Sequence, residues 1–132
     1  MAALDRPVVK TRPVYLNLFA IRQPVPAIVS ILHRISGALL FLIGIPALLW
    51  GVQASIASPE SFAQFKSAFA HPLARLVGLA LAWAYLHHLL AGLRHLLLDV
   101  HVGIELAPAR RSAAVVLAVS LLLTAMVAAR LW

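Results

Sequence analysis

Three long apolar runs set the pattern of this chain, at residues 27–52, 73–100 and 112–131. A helix rises 1.5 Å per residue, so roughly 20 residues cross the hydrocarbon of a bilayer, and each run is long enough to span it. Ahead of them, residues 1–26 are polar and interrupted by Pro7, Pro13, Pro24 and Pro26. Proline removes a backbone donor and fixes φ, which predicts an extended or turning arm. Val14, Leu16 and Leu18 alternate within it, a pattern that suits an extended segment on a partner or at headgroup level. Between the first two runs, Ser58-Pro59-Glu60 has the order of an N-cap, a first-turn proline and an acid. Phe62, Phe65 and Phe69 follow at helical spacing, predicting a short amphipathic helix on the membrane surface that ends at His71-Pro72. His101–Arg111 is expected to be a connecting loop. The pattern therefore predicts an all-α membrane protein with three transmembrane helices, a short interfacial helix between the first two, and one membrane-anchor domain over residues 1–132.

Composition agrees. The chain is 63% hydrophobic and 11% charged, against about 45–50% and 25% for soluble domains. It has no cysteine, which excludes disulfides, cysteine-ligated iron–sulfur clusters and thiol catalysis. A net charge of +7 on a soluble protein would suggest nucleic acid. Here the basic residues flank the spans, so no nucleic-acid partner is expected. With three spans, eight Lys and Arg residues fall on the side of the N-terminal arm and three (Lys66, Arg75, Arg130) on the other. The positive-inside rule then puts the N-terminus in the cytoplasm and makes the chain a multi-pass protein of the cytoplasmic membrane. The first run is too long for the roughly 7–15-residue apolar region of a signal peptide. Arg110-Arg111 reads as a topological signal, with an anionic membrane lipid as the sharper alternative.

Candidate chemistry gathers in Ala84–Asp99. This part of the second span carries His87, His88, Arg94, His95 and Asp99, and ionisable groups at membrane depth usually mark a site. His88, Gly92 and His95 share one helix face, while His87 points about 100° away with Ala91 and Arg94. A neutral imidazole is a good axial ligand for haem iron, and a glycine one turn away leaves room for a flat macrocycle. No carboxylate falls in the middle of a span, which favours haem over a non-haem metal. One helix offers one good axial ligand, so the second is expected from another chain. Interhelical hydrogen bonding of the histidines, with no cofactor, is the bland alternative. At the start of the first span, Ser30, His33 and Arg34 should lie at the depth of Arg94 and His95. There a hydroxyl, a guanidinium and an imidazole could bond a quinone carbonyl or pair with a haem propionate. Snorkelling explains Arg34 alone more easily than it explains Ser30 and His33.

These blocks are familiar in combination. Arg12-Pro13-Val14-Tyr15-Leu16-Asn17-Leu18, Ser30-Ile31-Leu32-His33-Arg34-Ile35-Ser36-Gly37, Ser58-Pro59-Glu60, and His88 with Gly92-Leu93-Arg94-His95-Leu96-Leu97-Leu98-Asp99 appear in order. Together they resemble the cytochrome b subunit of bacterial succinate dehydrogenase, a membrane anchor of respiratory complex II. The resemblance implies a subunit without the catalytic head, so no catalytic residue is assigned. It implies a second three-helix anchor subunit, an iron–sulfur subunit, a flavoprotein subunit that oxidises succinate, and one haem b shared between the two anchors. Ubiquinone would be the substrate reduced at the cytoplasmic edge. On this resemblance His88 is the haem-iron ligand, His33, Arg34 and His95 are propionate contacts, and Ser30 and Arg34 belong to the quinone site. A fumarate reductase or menaquinone-linked anchor, a haem-free structural anchor, and an unrelated protein holding another metal stay open.

Overall fold

A computed structural model describes residues 20–132, all of whose regular structure is helical. Residues 1–19 of the proline-punctuated arm, with its alternation at Val14, Leu16 and Leu18, lie outside the described residues; at its other end Val25 and Pro26, expected in the arm, already form the first turn of a helix, where a proline costs no hydrogen bond. Helix α1 (Val25–Leu39) runs through one π-helical turn (Leu40–Gly44) into α2 (Ile45–Ala57). Together they form a first span of 33 residues. The π turn ends just before Pro46, which has no N–H to give the Leu42 carbonyl. A widened turn is how a helix absorbs such a break.

Helix α3 (Pro59–Ala70) starts as its sequence predicts, because the Ser58 hydroxyl accepts from the Ser61 N–H at 3.1 Å. Glu60 lies in the first turn, and its carboxyl titrates below the usual glutamate range, held down by its own backbone N–H and then by the Ser58 hydroxyl. Phe65 and Phe69 pack onto protein: Phe65 lies against Gly51 and edge-on to Trp50, and Phe69 covers Gly78. Helix α3 thereby props the first span apart from α4 (Pro72–Asp99). An apolar cleft of about 1310 Å³ opens between them, lined in part by Leu48, Trp50, Phe65, Phe69, Leu81 and Tyr85.

His71, given no role by its sequence context, is a helix cap: its Nδ1 accepts from the Leu73 N–H at 3.2 Å at the start of α4. His101 is also structural. It takes φ 63° just after α4, and the Val102 and His101 N–H groups close on the Leu97 and Leu98 carbonyls at 2.9 and 3.0 Å. This is a Schellman ending with histidine at the left-handed position that glycine usually takes.

Helix α5 (Leu106–Leu131) begins six residues before the expected start of the third span, so the loop over 101–111 is a correction. Pro108 suggested that loop. Yet the first four N–H groups of a helix have no internal partner, so a proline in the first turn loses nothing. Arg110 and Arg111 consequently sit on α5 and are exposed.

Small residues bring α1, α4 and α5 together. Val29, Ala91, Ala113 and Val116 form the buried centre, with Leu90 and Leu117 against it. Close approach of small side chains is what drives helices together in lipid, where burial of apolar surface gives little. One turn from this centre Arg94, 6% exposed, donates from Nε to the Ser112 hydroxyl at 2.9 Å and from a terminal nitrogen to the Ala109 carbonyl at 3.2 Å. Arg94 therefore ties α4 to α5 and does not join the Ser30–His33–Arg34 group. The Ser112 hydroxyl itself donates to the Ala109 carbonyl at 3.1 Å. Removing Arg94 leaves that bond intact, whereas removing the hydroxyl strands a buried guanidinium N–H. Ser112→Ala is therefore expected to destabilise the folded chain by about 1–3 kcal/mol, and Arg94→Met by less. Thermal denaturation of the purified protein checks the order.

Candidate functional site

The site forms where α1 crosses α4. His88 is half-buried there, and its Nδ1 lies 3.0 Å from the His33 carbonyl and 3.2 Å from the Ser36 hydroxyl. A carbonyl only accepts, so Nδ1 carries the proton. The Ser36 hydroxyl donates to the same carbonyl at 2.9 Å, which leaves its oxygen to receive Nδ1–H. These contacts select one tautomer of His88, with an unprotonated Nε2 whose lone pair lies in the ring plane. Nε2 makes no hydrogen bond among the described residues. A histidine whose other nitrogen donates to a backbone carbonyl is the arrangement typical of a metal-ligating imidazole.

Two neighbours shape the position of the ring. The His33 imidazole stacks on it, with centroids 4.1 Å apart and planes within 10°. Gly37 lies beneath it: a Cβ there would stand 2.7 Å from His88 Cε1 and 3.3 Å from Nδ1. Only glycine allows α1 to approach this ring so closely. His95 completes the cluster, its ring 5.0 Å from that of His33 and tilted by 51°. The space beside Gly92, expected to admit a macrocycle, is taken by His33, whose Nε2 lies 3.5 Å from where a Gly92 Cβ would be.

Ser30 is half-buried and Arg34 exposed on the same helix, one turn before the cluster and within it. Neither side chain makes a hydrogen bond or ion pair among the described residues, so a hydroxyl and a guanidinium remain available at this end of the bundle. His87 is separated from the cluster, as its 100° offset predicts. It is fully buried with Ala84, Ala91 and Arg94 on the side of α4 that packs inward. No group of three or more histidine, cysteine or acidic residues among the described residues is arranged to hold a metal by itself.

Residues 9–127 match the family described as succinate dehydrogenase/fumarate reductase transmembrane subunit. The chain belongs to this family. It is 37% identical over 112 residues to the succinate dehydrogenase cytochrome b556 subunit of Paracoccus denitrificans, covering 85% of each chain. Identity is 38% over 122 residues to the succinate dehydrogenase cytochrome b556 subunit of Coxiella burnetii (strain RSA 493 / Nine Mile phase I), covering 92% of this chain and 95% of that relative. Family membership and three helices long and apolar enough to span make this a multi-pass transmembrane subunit of that enzyme class.

Ser36 had no role assigned from the sequence; Gly37 reads there as a small residue that lets another helix or a flat cofactor approach closely, and the structure sets the His88 ring of α4 against it. Both stand in the Ser-x-x-His-Arg-x-Ser-Gly block of this family member. The visible signal was a hydroxyl and a glycine on successive positions, one turn beyond His33. What they touch depends on the partner helix, which periodicity does not reveal.

Proposed function

We propose that this chain is the cytochrome b anchor of a succinate:ubiquinone oxidoreductase. With a second anchor subunit it would hold one haem b, and it would seat the iron–sulfur and flavoprotein subunits on the membrane. The observation that carries this reading is the tautomer of His88: Nδ1–H engaged by the His33 carbonyl and Ser36, and Nε2 left as a ligand. The cytochrome b556 name of both relatives supports a b-type haem. When bound, the haem would supply a one-electron carrier; the protein supplies its ligand, orientation and surroundings. His33, stacked on His88, and His95, about two turns further along α4 toward the end of the bundle that carries Arg34, are the groups suited to haem propionates. A reduced-minus-oxidised spectrum of the purified complex tests this. A b-type signal is expected, and its absence sinks the haem assignment.

The quinone site belongs to the same end of the bundle. Ser30 would donate to a quinone carbonyl, and Arg34 would stabilise negative charge as it develops on that oxygen. Ser30→Ala and Arg34→Leu are each expected to slow quinone reduction about tenfold or more, while succinate oxidation by an artificial acceptor persists. Unaltered quinone kinetics in both variants would count against the site.

The arm and the loop over residues 100–105 share a side of the membrane, and eight of the eleven Lys and Arg residues fall there. This supports a cytoplasmic N-terminus. Helix α3 would lie along the opposite interface, where Trp50 contacts Phe65 and Arg75 lies over the Trp132 ring at 5.8 Å.

A further inference from the structure

A second polar patch lies inside the bundle, on the face of α4 turned away from the His88 Nε2 edge. His87 is fully buried, and neither of its ring nitrogens has a hydrogen-bond partner among the described residues. One turn earlier on α4, the Trp83 indole stacks on the same imidazole, with centroids 5.3 Å apart and planes 28° apart. Its Nε1 is also buried and unpaired. The Val29 carbonyl faces the imidazole from α1 without closing a hydrogen bond of acceptable geometry. Three nitrogens in one apolar core are thus without partners, although buried polar groups are almost always paired with protein or water.

The register of α4 against α5 says what surrounds them. The pairing of Arg94 with Ser112 in antiparallel helices brings Ser120 to the level of His87 and Thr124 to that of Trp83. Both hydroxyls donate to carbonyls of their own helix, at 3.0 Å to Leu117 and 2.7 Å to Ser120. Their oxygens can still accept. Ala84 and Ala91, each buried, flank His87 on α4 and put only methyl groups between the helices.

The unpaired set is a donor on Trp83 and one donor plus one acceptor on neutral His87. No carboxylate or cation belongs to the patch, so it has nothing to balance an ion. No partner side chain reaches a histidine with 0% exposure. A water molecule is small, neutral, and both donates and accepts. We propose that Trp83 and His87 enclose an internal water site in the three-helix core, the water accepting from the indole N–H and bonding to the imidazole. Val29, Ala91, Ala113 and Val116 close the bundle between this patch and the end carrying Arg94. This inference stands independently of the haem assignment.

A structure of the assembled complex at a resolution that shows waters tests it. The expected result is a water oxygen within about 2.7–3.2 Å of both Trp83 Nε1 and a ring nitrogen of His87. Direct bonding of these nitrogens to a protein group such as the Val29 carbonyl, with no water between, overturns the proposal. In His87→Phe the water should be lost; its survival in place also overturns the proposal. Should that variant fail to assemble, Trp83→Phe serves instead, and the same water must then be displaced or absent.

Discussion

Replacing His88 by leucine in the assembled complex is expected to abolish the low-spin b-haem signal, while His87→Leu keeps it. The two histidines are adjacent in sequence but face different surroundings. His88 stands at the α1–α4 surface with its tautomer set by the His33 carbonyl and Ser36, so its Nε2 lone pair is oriented before any metal binds. His87 is wholly enclosed by the bundle. For His87 to reach a cofactor shared with another subunit, α4 would have to turn by about 100°. That rotation would carry Arg94 out of its bonds to Ser112 and Ala109 and would break the packing of Ala91. The reduced-minus-oxidised spectrum of each variant decides between them. Loss of the signal in His87→Leu alone would overturn the assignment.

Gly37→Ala is expected to lower haem affinity by about tenfold, although the residue carries no chemistry. A Cβ at this position falls 2.7 Å from His88 Cε1. The ring has no inexpensive retreat, since moving it breaks the Nδ1–H bond and the stack on His33. Overpacking of a close contact costs about 1–3 kcal/mol, and 1.4 kcal/mol is a factor of ten in binding. Gly78→Ala is the informative contrast. Its Cβ would fall as close, 2.8 Å, to the ζ carbon of Phe69. That ring is 38% exposed and has no polar bond to lose, so it can swing aside. Haem titration into the two variant complexes should therefore separate them: weakened binding for Gly37→Ala and near-normal binding for Gly78→Ala. Equal affinities would show that the contact with His88 is not what Gly37 protects.

The helical plan was legible because its signals are local. The first span, α3 with its Ser58 cap, and α4 with His71-Pro72 before it all follow from hydropathy, proline and capping residues close in sequence. The start of α5 was not legible, since a proline reads the same in a loop and in a first turn. The opposed faces of His87 and His88 followed from helix geometry alone. A shared depth was anticipated for His33 and His95, whereas the stacking of His33 on His88 was not anticipated.

The sequence by itself determined that the chain crosses the membrane three times, that eight of its eleven Lys and Arg residues fall on one side of the spans, and that the two histidines diverge. Each of these depends on residue type and spacing within one helix. Tertiary structure alone decided that Arg94 serves the α4–α5 contact, that His33 fills the space beside Gly92, and that Ser36 and a backbone carbonyl select the tautomer of His88. Those outcomes depend on which helix lies opposite and in what register. The pairing of α1, α4 and α5 through small residues settles that, and no periodicity within one helix records it.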